Sequence, residues 1–251
     1  MTSGCFRPTN VATLANGEVH AWYVSIDALD GDKVERCEVV LSADERARRD
    51  RFVFGKDRDL YQVAHALVRT TLSRYADVDP TLWRFATNRY GRPDIILPDA
   101  APSLRFNLSH TPGMAICAVA LDREVGVDVE DLQRRKVNLS IAHHYFSSRE
   151  VADLMSLPEH RQQDAFFDYW TLKESYIKAR GMGLSIPLDQ FSFHLATDRP
   201  IEISFAPPLN DDPSSWQFAQ CHHGNRHKMA LAIRRRGEDL RVRWLETAVE
   251  L

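Results

Sequence analysis

The chain has 251 residues, of which 44% are hydrophobic, 10% aromatic and 27% charged. This composition is typical of folded globular proteins, and it excludes disordered, collagen-like and coiled-coil chains. The length allows one large domain or two modest ones. The formal net charge of -3 excludes the basic excess expected of a general nucleic-acid binder, so we expect no nucleic-acid partner.

The cysteines and the apolar runs of the sequence indicate the cellular compartment of the protein. The four cysteines lie far apart in the sequence, at Cys5, Cys37, Cys117 and Cys221. Without a C-x-x-C pair, they argue against a thiolate zinc site or a redox dithiol. Met1–Asn10 has no apolar core for a signal peptide, and the longest apolar run, Met114–Leu121, is too short to span a bilayer. We therefore expect a cytoplasmic protein without a membrane partner.

Hydrophobic periodicity and capping patterns predict the elements of the first half. In chain order these are a strand over Val19–Ile26, an Arg-rich helix opened by the capping box Ser42–Glu45, a long amphipathic helix over Asp57–Tyr75, and strands over Leu104–Leu108 and Met114–Leu121. Residues 88–93 are predicted to form a loop, and residues 109–113 are predicted to form the turn between the last two strands.

The second half follows a similar order. It is predicted to contain a strand over Gly126–Glu130, a capping box at Ser147–Glu150, a long helix over Gln162–Arg180 ended by Gly181, and strands over residues 188–195, 201–205, 216–220, 229–234 and 240–244. Met114-Ala115-Ile116 recurs as Met229-Ala230-Leu231. The similar order indicates an internal duplication with a boundary near residues 122–125. Coincidence also explains the recurrence of three common apolar residues.

Gly126-Val127-Asp128-Val129-Glu130 carries a pair of carboxylates. Alternation along a strand directs Val127 and Val129 to one face and both acids to the other. A hard divalent cation such as Mg2+ would relieve the repulsion between them and accept phosphate oxygens. A half-exposed strand with two solvated acids explains the same pattern.

The segment Trp170-Thr171-Leu172-Lys173-Glu174-Ser175-Tyr176-Ile177-Lys178 lies in the second long helix. The helical period places Glu174 and Lys178 one turn apart on one face, with Trp170 one turn before Glu174. An ordinary surface ion pair between Glu174 and Lys178 is the simpler explanation for that spacing.

Phe106-Asn107-Leu108-Ser109-His110 is predicted to be a strand that runs into a turn. There the Ser109 hydroxyl, the His110 ring and backbone amides could meet a phosphate. Ser109 lacks a G-x-S-x-G elbow, so serine-hydrolase chemistry has little support. His110 is equally compatible with a structural role.

Two groups of basic residues suit a polyphosphate ligand. They are Arg46, Arg48, Arg49 and Arg51 on the short helix, and Arg89 and Arg92 in the loop Asn88-Arg89-Tyr90-Gly91-Arg92-Pro93. A glycine and a proline in that loop would let backbone amides approach a phosphate closely. A solvated helix face explains the arginine-rich helix equally well.

Taken together and in order, these motifs resemble the Sfp-type 4'-phosphopantetheinyl transferases. The resemblance rests on Arg51-Phe52, on Tyr90-Gly91-Arg92-Pro93 and on the three motifs above, and it covers most of the chain. It implies an α/β (α+β) pseudo-dimer of two similar halves, each a long helix packed on a small antiparallel sheet. Residues 1–123 would bind coenzyme A, and residues 124–251 would supply the metal-binding acids. The active site would lie in the cleft between the halves.

The resemblance also implies roles for single residues. Asp128, Glu130 and Glu174 match the metal-binding acids; Glu174, Lys178 and Asp128 match the catalytic group. Residues on the coenzyme A side are Arg51, Arg89, Tyr90, Gly91, Arg92, Pro93, Asn107, Ser109, His110 and Lys178, with His110 directed at the 3'-phosphate. Arg92 stands where many members have lysine. Glu45 stands where some members have lysine. In the short arginine-rich helix, only Arg48 and Arg51 match basic positions of the family.

The implied activity is of the holo-acyl-carrier-protein synthase type. A monomer would use Mg2+, or Mn2+, to move 4'-phosphopantetheine from coenzyme A to a serine of an apo acyl, peptidyl or aryl carrier protein. Two alternatives stay open on the residues alone. One is a Mg2+-dependent phosphodiesterase or nucleotide phosphatase, and the other is a non-catalytic carrier- or nucleotide-binding module.

Overall fold

The computed structural model describes residues 12–98, 103–134, 137–196 and 198–249, with the Leu97 side chain left out. Met1–Asn10 and Cys5 therefore lie outside the described residues. The chain divides into two units. The first contains the chain up to Asn88, Pro93–Asp122 and the end from Arg241, and the second contains Arg89–Arg92 and Arg123–Leu240. The C-terminal strand thus returns to the first unit, and a four-residue turn belongs to the second.

The first unit places one long helix on a four-stranded sheet. Its elements are β1 (Glu18–Ser25), α1 (Gly31–Arg36), α2 (Ala43–Arg49), α3 (Gly55–Ser73), β2 (Arg84–Thr87), β3 (Pro93–Leu97), β4 (Leu104–Thr111), β5 (Met114–Leu121) and β11 (Arg241–Glu246). The sheet order is β11-β1-β5-β4. All of its pairings are antiparallel except that of β11 with β1. Strands β2 and β3 form a separate hairpin.

The second unit repeats this arrangement with a three-stranded sheet. Its elements are β6 (Val125–Asp131), α4 (Ala142–Tyr145), α5 (Ser148–Ser156), α6 (Glu159–Arg180), β7 (Phe191–His194), β8 (Glu202–Phe205), β9 (Trp216–His223) and β10 (His227–Arg234). The sheet order is β6-β10-β9, antiparallel throughout, and β7 pairs with β8. The predicted mixed α/β fold class, with a long helix on a small sheet in each half, is confirmed.

The short sequence echo falls at equivalent places in the two units. Met114–Leu121 forms β5, and the second copy lies in β10; each strand is central in its sheet and antiparallel to both neighbours. Ala115 packs in the core under α3, and Ala230 packs in the core under α6. Small side chains at these positions let each helix lie close to its sheet.

Both predicted capping boxes are present. The Ser42 side chain accepts from the Glu45 amide and Glu45 accepts from the Ser42 amide; Ser147 and Glu150 do the same ahead of α5. Gly181 ends α6 in the left-handed region with φ of 64°. These local signals fix helix ends without help from the rest of the chain. None of the helices in the described part of the chain combines the length and apolar character that crossing a bilayer requires.

The Glu45 carboxylate links α2 to α3. Beyond its capping role it accepts from Arg69 Nε at 2.9 Å and lies 3.1 Å from His65 Nδ1. Burial raises the pKa of Glu45, but the hydrogen bonds from His65 and Arg69 outweigh it and hold this pKa at about 2. The residue that departs from the family's lysine is therefore a structural anchor of the first unit.

A buried ion pair joins α5 to α6. Lys173 and Glu150 have no exposed side-chain area and approach to 2.7 Å. Lys173 Nζ also donates to the carbonyl oxygens of Leu188 and Phe191, while Glu150 accepts from the Phe193 amide. The lysine that precedes Glu174 thus belongs to the packing of the second unit.

Replacing Lys173 with Met should lower the free energy of unfolding by about 3–5 kcal/mol, because Glu150 then stays buried without its cation. Urea unfolding measures the change. Arg149→Ala is the matched control, since it breaks the exposed 3.8 Å pair with Asp153 and should cost less than about 1 kcal/mol. Equal losses in the two variants would contradict a structural role for the buried pair.

Glu45→Gln should remove stability that depends on pH. Because the folded-state pKa of Glu45 is about 2, below its ordinary 4.5, its contribution is present above pH 4.5 and is lost as pH falls toward 2. The shift corresponds to a contribution on the order of 3 kcal/mol. Unfolding of both proteins across this pH range should show the difference between them closing on the acid side. A constant difference would be the opposite result.

Candidate active site

The predicted metal-binding acids lie on β6 and α6. Along β6, Gly126, Asp128 and Glu130 share one face, as alternation predicted. That face is not solvated: Asp128 is 4% exposed, because α6 covers it. Glu174 comes from the facing helix and is half-buried. The alternative of two solvated acids on a half-exposed strand is therefore wrong.

Burial and mutual repulsion shape the electrostatics of these carboxylates. Burial raises the pKa of Glu130 to about 7, and the charge of Asp128 adds to the rise. Burial also raises the pKa of Glu174, again with a contribution from Asp128. Lys178 opposes both shifts. Glu130 and Glu174 are thus more basic than exposed carboxylates, and the charge of Asp128 contributes to both shifts.

Two side chains of α6 contact the acids of β6. Lys178 Nζ donates to Asp128 Oδ1 at 2.6 Å, and Trp170 Nε1 donates to Glu130 Oε1 at 3.2 Å. The expected pairing of Lys178 with Glu174 along the helix is replaced by a pairing between helix and strand. The sequence placed Trp170 one turn before Glu174 but did not reveal its hydrogen bond to Glu130.

Gly126 sets the distance between β6 and α6. A Cβ added there would lie 2.1 Å from the Ser175 carbonyl oxygen and 2.3 Å from the Ala179 amide nitrogen. Both are backbone atoms of α6, so no side chain can move aside to make room. Only glycine allows the strand to lie against the helix backbone at this point. Asp128 and Glu130 follow two and four residues later on the same face.

The donor set suits Mg2+ by its chemistry. Three carboxylates, two of them with pKa values raised by burial and by the Asp128 charge, lie within electrostatic reach of one another. Hard divalent cations take oxygen ligands and relieve this repulsion. In the described part of the chain, no three His, Cys, Asp or Glu side chains are already arranged around one point as ligands. Lys178 supplies a positive charge to Asp128 instead.

The end of α6 carries two further contacts. Asp211 accepts hydrogen bonds from Tyr176, Arg180 and Trp216. Arg92 Nη1 donates to the Ala179 carbonyl oxygen at 2.7 Å, where a helix C-terminus favours a cation. Asp211 gave no signal in the sequence, whereas Arg92, predicted as a contact of coenzyme A, here donates to the end of the helix.

The predicted loop at 88–93 is the turn of the β2–β3 hairpin. Gly91 has φ of 88°, a conformation that favours glycine. The Arg89 guanidinium lies 4.6 Å from the centre of the exposed Tyr90 ring. Pro93 opens β3.

Ser109 and His110 lie in a strand, which corrects the predicted turn. Strand β4 continues to Thr111, and Ser109 and His110 pair with Ile116 and Ala115. Their backbone amides belong to a sheet strand rather than to a phosphate-binding turn. Asn107 and Ser109 are buried on one face, while His110 is exposed on the other.

The four arginines between residues 46 and 51 separate into two pairs, and Arg51 lies beyond the end of α2 at Arg49, which corrects its predicted place on the short helix. Arg49 binds Glu38 at 2.9 Å, and Arg46 donates to the Leu41 carbonyl oxygen. Arg48 and Arg51 are exposed. A cavity of about 810 Å3 in the first unit is lined by Arg48 and Pro93 from the predicted set, and by Tyr61, His65 and Arg84, which sequence reasoning missed.

Comparison with known proteins gives a consistent assignment. The 4'-phosphopantetheinyl transferase superfamily model matches residues 124–233. The 4'-phosphopantetheinyl transferase HetI of Nostoc sp. strain PCC 7120 is 36% identical over 203 residues, which are 80% of this chain and 84% of HetI. Sfp of Bacillus subtilis strain 168, also named a 4'-phosphopantetheinyl transferase, is 36% identical over 175 residues, 70% of this chain and 75% of Sfp.

Among solved structures, the holo-[acyl-carrier-protein] synthase of Thermotoga maritima aligns with a TM-score of 0.36 and 20% identity, covering 45% of this chain and 63% of that one.

Gly126→Ala should push β6 away from α6 and lower the free energy of unfolding by about 1–3 kcal/mol, because the new methyl group meets backbone atoms. Gly31→Ala is the control, since an added Cβ there meets nothing within 4 Å; its stability should be unchanged or slightly higher. Urea unfolding compares the two. If Gly126→Ala is as stable as Gly31→Ala, the strand does not lie this close to the helix.

Proposed function

This chain belongs to the 4'-phosphopantetheinyl transferase superfamily, and on that premise we propose that Asp128, Glu130 and Glu174 form the centre of its transfer reaction. The observation that carries the proposal is the buried contact of β6 with α6, which gathers these three carboxylates and Lys178 in the second unit. The enzyme uses coenzyme A as donor and a carrier protein as acceptor.

The carboxylates would hold Mg2+, with Mn2+ as a substitute. When bound, the ion would neutralise negative charge on the pyrophosphate of coenzyme A. Asp128 and Glu130 on β6 and Glu174 on α6 are the proposed ligands. The raised pKa values of Glu130 and Glu174 and the crowding of the three carboxylates support this role, because a carboxylate that is poorly solvated binds a cation more readily than one in water.

The transfer itself forms one bond and breaks one. The serine hydroxyl of the carrier attacks the phosphorus that bears pantetheine, and the bond to the second phosphate of the pyrophosphate breaks, releasing adenosine 3',5'-bisphosphate. Glu174 accepts the serine proton, directly or through a water molecule; its raised pKa supports this assignment. Lys178 stabilises charge on the phosphate oxygens.

The remaining predicted residues are proposed contacts of coenzyme A. They are Arg51, Arg89, Tyr90, Gly91, Arg92, Pro93, Asn107, Ser109 and His110. Arg51 and His110 are both exposed, and a guanidinium group can bind phosphate oxygens in bidentate fashion. We further propose that residues 1–123 and 124–251 are the functional parts of the enzyme, that it is a monomer in the cytoplasm, and that it has holo-acyl-carrier-protein synthase specificity.

Mass spectrometry tests the reaction. Incubating the protein with coenzyme A, Mg2+ and an apo carrier should add the mass of one phosphopantetheine group to the carrier serine. A phosphodiesterase or phosphatase would instead cleave coenzyme A without modifying the carrier, and a binding module would do neither. Several apo carriers of the acyl, peptidyl and aryl types should be tried, since an absence of modification in all of them would contradict the proposal.

Glu174→Gln should lower the transfer rate about 100-fold or more, because the amide cannot accept the serine proton. Glu159→Gln, at the exposed start of the same helix, should leave the rate unchanged. Mg2+ affinity measured by calorimetry separates the two roles of Glu174. A loss of affinity that accounts for the whole loss of rate would make Glu174 a ligand only.

Asp128→Ala should abolish transfer, because it removes both a proposed ligand and the partner of Lys178. Measurement at limiting Mg2+ is the sharpest form of this test. Wild-type activity of the variant under that condition would contradict the proposed metal site.

A further inference from the structure

The segment Arg51–Phe54, which we name the RFVF loop, joins α2 to α3 and exposes its apolar side chains. Val53 is 82% exposed, Phe54 63% and Phe52 37%. Among the described residues, no other three consecutive large apolar side chains are all exposed. The Phe52 ring lies 5.5 Å from that of Tyr61 on α3, so one side chain anchors the loop while the next two face outward. Such a run on a folded protein marks an interaction surface.

The start of α3 departs from the residues that a helix start favours. Phe54 occupies the N-cap and makes no side-chain capping hydrogen bond, whereas Ser, Thr, Asp or Asn would add about 1 kcal/mol there. Lys56 lies in the first turn, where the helix dipole disfavours a cation, beside Asp57, which the dipole favours. Phe54 and Lys56 are both less stabilising at these positions than a capping residue and an acid would be. Local choices of this kind are expected where a surface serves binding.

The charge around the RFVF loop is positive. Residues 48–58 contain five cations (Arg48, Arg49, Arg51, Lys56 and Arg58) against two acids (Asp50 and Asp57). Arg49 is held by Glu38 and Asp50, and the other four cations are exposed. The chain as a whole carries -3. A partner with carboxylates around apolar side chains is complementary to this surface.

Coenzyme A is a poor match for the outward-facing apolar side chains. The 810 Å3 cavity beside α2 is lined by Arg48, Tyr61 and His65, but not by any residue of the RFVF loop. Val53 and Phe54 therefore do not line that cavity, and their exposed apolar side chains suit a macromolecular partner better than a polyanionic small molecule.

We propose that Val53 and Phe54 of the RFVF loop, with Lys56 and Arg58, form the docking site for the apo carrier protein, through an acidic surface of the carrier that presents apolar side chains. Arg51, at the start of the loop, is left to coenzyme A. Val53 and Phe54 would insert between those side chains, and the cations would pair with the surrounding carboxylates. The inference rests on the proposed transferase function and deepens it by naming where the acceptor binds.

The double variant Val53→Ser/Phe54→Ser tests the apolar part. Serine at position 54 is a favourable N-cap, so the variant should be at least as stable as the wild type. The KM for the apo carrier should rise about tenfold or more, while the KM for coenzyme A and kcat change less than about twofold. Ile96→Ser, which removes a side chain that is 51% exposed on β3, is the matched control and should leave all three constants unchanged.

The variant Lys56→Glu/Arg58→Glu tests the charged part. Its KM for the carrier should also rise, and added salt should lower that KM rather than raise it, because attraction has become repulsion. Direct binding of a fluorescently labelled apo carrier, without coenzyme A or Mg2+, should weaken in both double variants.

The outcomes separate the two levels of the proposal. If the wild type modifies no carrier, the proposed function fails. If it modifies carriers but Val53→Ser/Phe54→Ser has the carrier KM of the control, the function stands and the docking site is overturned. A loop that instead mediates self-association in sedimentation experiments, or binding to phosphatidylserine vesicles, with the carrier KM unchanged, overturns it equally.

Discussion

The close contact between β6 and α6 is the constraint on which the candidate site depends. Gly126 lies against the backbone of Ser175 and Ala179, Asp128 binds Lys178, and Glu130 binds Trp170. Between Gly126 and Glu130 the contact on α6 moves from Ser175 and Ala179 back to Trp170. Strand and helix therefore run in opposite directions along this contact, which brings the acids of β6 against α6.

The same helix is fixed by ionic contacts on its other sides. Lys173 is held by Glu150 of α5, Lys228 of β10 binds Asp164 and Asp168, and the C-terminal end is fastened by Asp211. Burying such pairs contributes little net stability, since desolvation offsets the attraction. Each pair has only one satisfactory geometry, however. Together they define the rotation and position of α6, and therefore where Glu174 and Lys178 lie relative to β6.

The sequence predicted the elements whose ends are set by residues close to them in the chain. Capping boxes at Ser42 and Ser147 and the glycine at 181 mark helix ends by short-range hydrogen bonds or backbone conformation, and all three are confirmed. The turn at Ser109 was wrong because β4 is extended by pairing with β5, a tertiary contact that no short window contains. The return of β11 to pair with β1 depends on residues more than 200 positions apart and was equally invisible.

Part of the site was predictable from the sequence, because the alternation of side chains along a strand is also a local property. Alternation alone placed Asp128 and Glu130 on one face of β6, but it did not reveal that a helix covers this face. The spacing of Glu174 and Lys178 suggested a pair within the helix, whereas the closer carboxylate comes from the strand. A sequence period states which side chains point the same way. It does not state what lies opposite them, and that is what decides whether an acid is solvated or buried.

The helical period nevertheless helps to separate the arginines that face the protein from those that are exposed. Arg46 and Arg49 are three residues apart on α2 and share a face, whereas Arg48 lies on another face and Arg51 follows the end of the helix. Arg46 donates to the Leu41 carbonyl oxygen and Arg49 pairs with Glu38, so both face the protein. Arg48 and Arg51 are exposed. A basic patch of all four arginines would carry twice the charge that the two exposed arginines present to a ligand. Once the helical phase is considered, the exposed charge moves toward the end of α2, next to the exposed Val53 and Phe54.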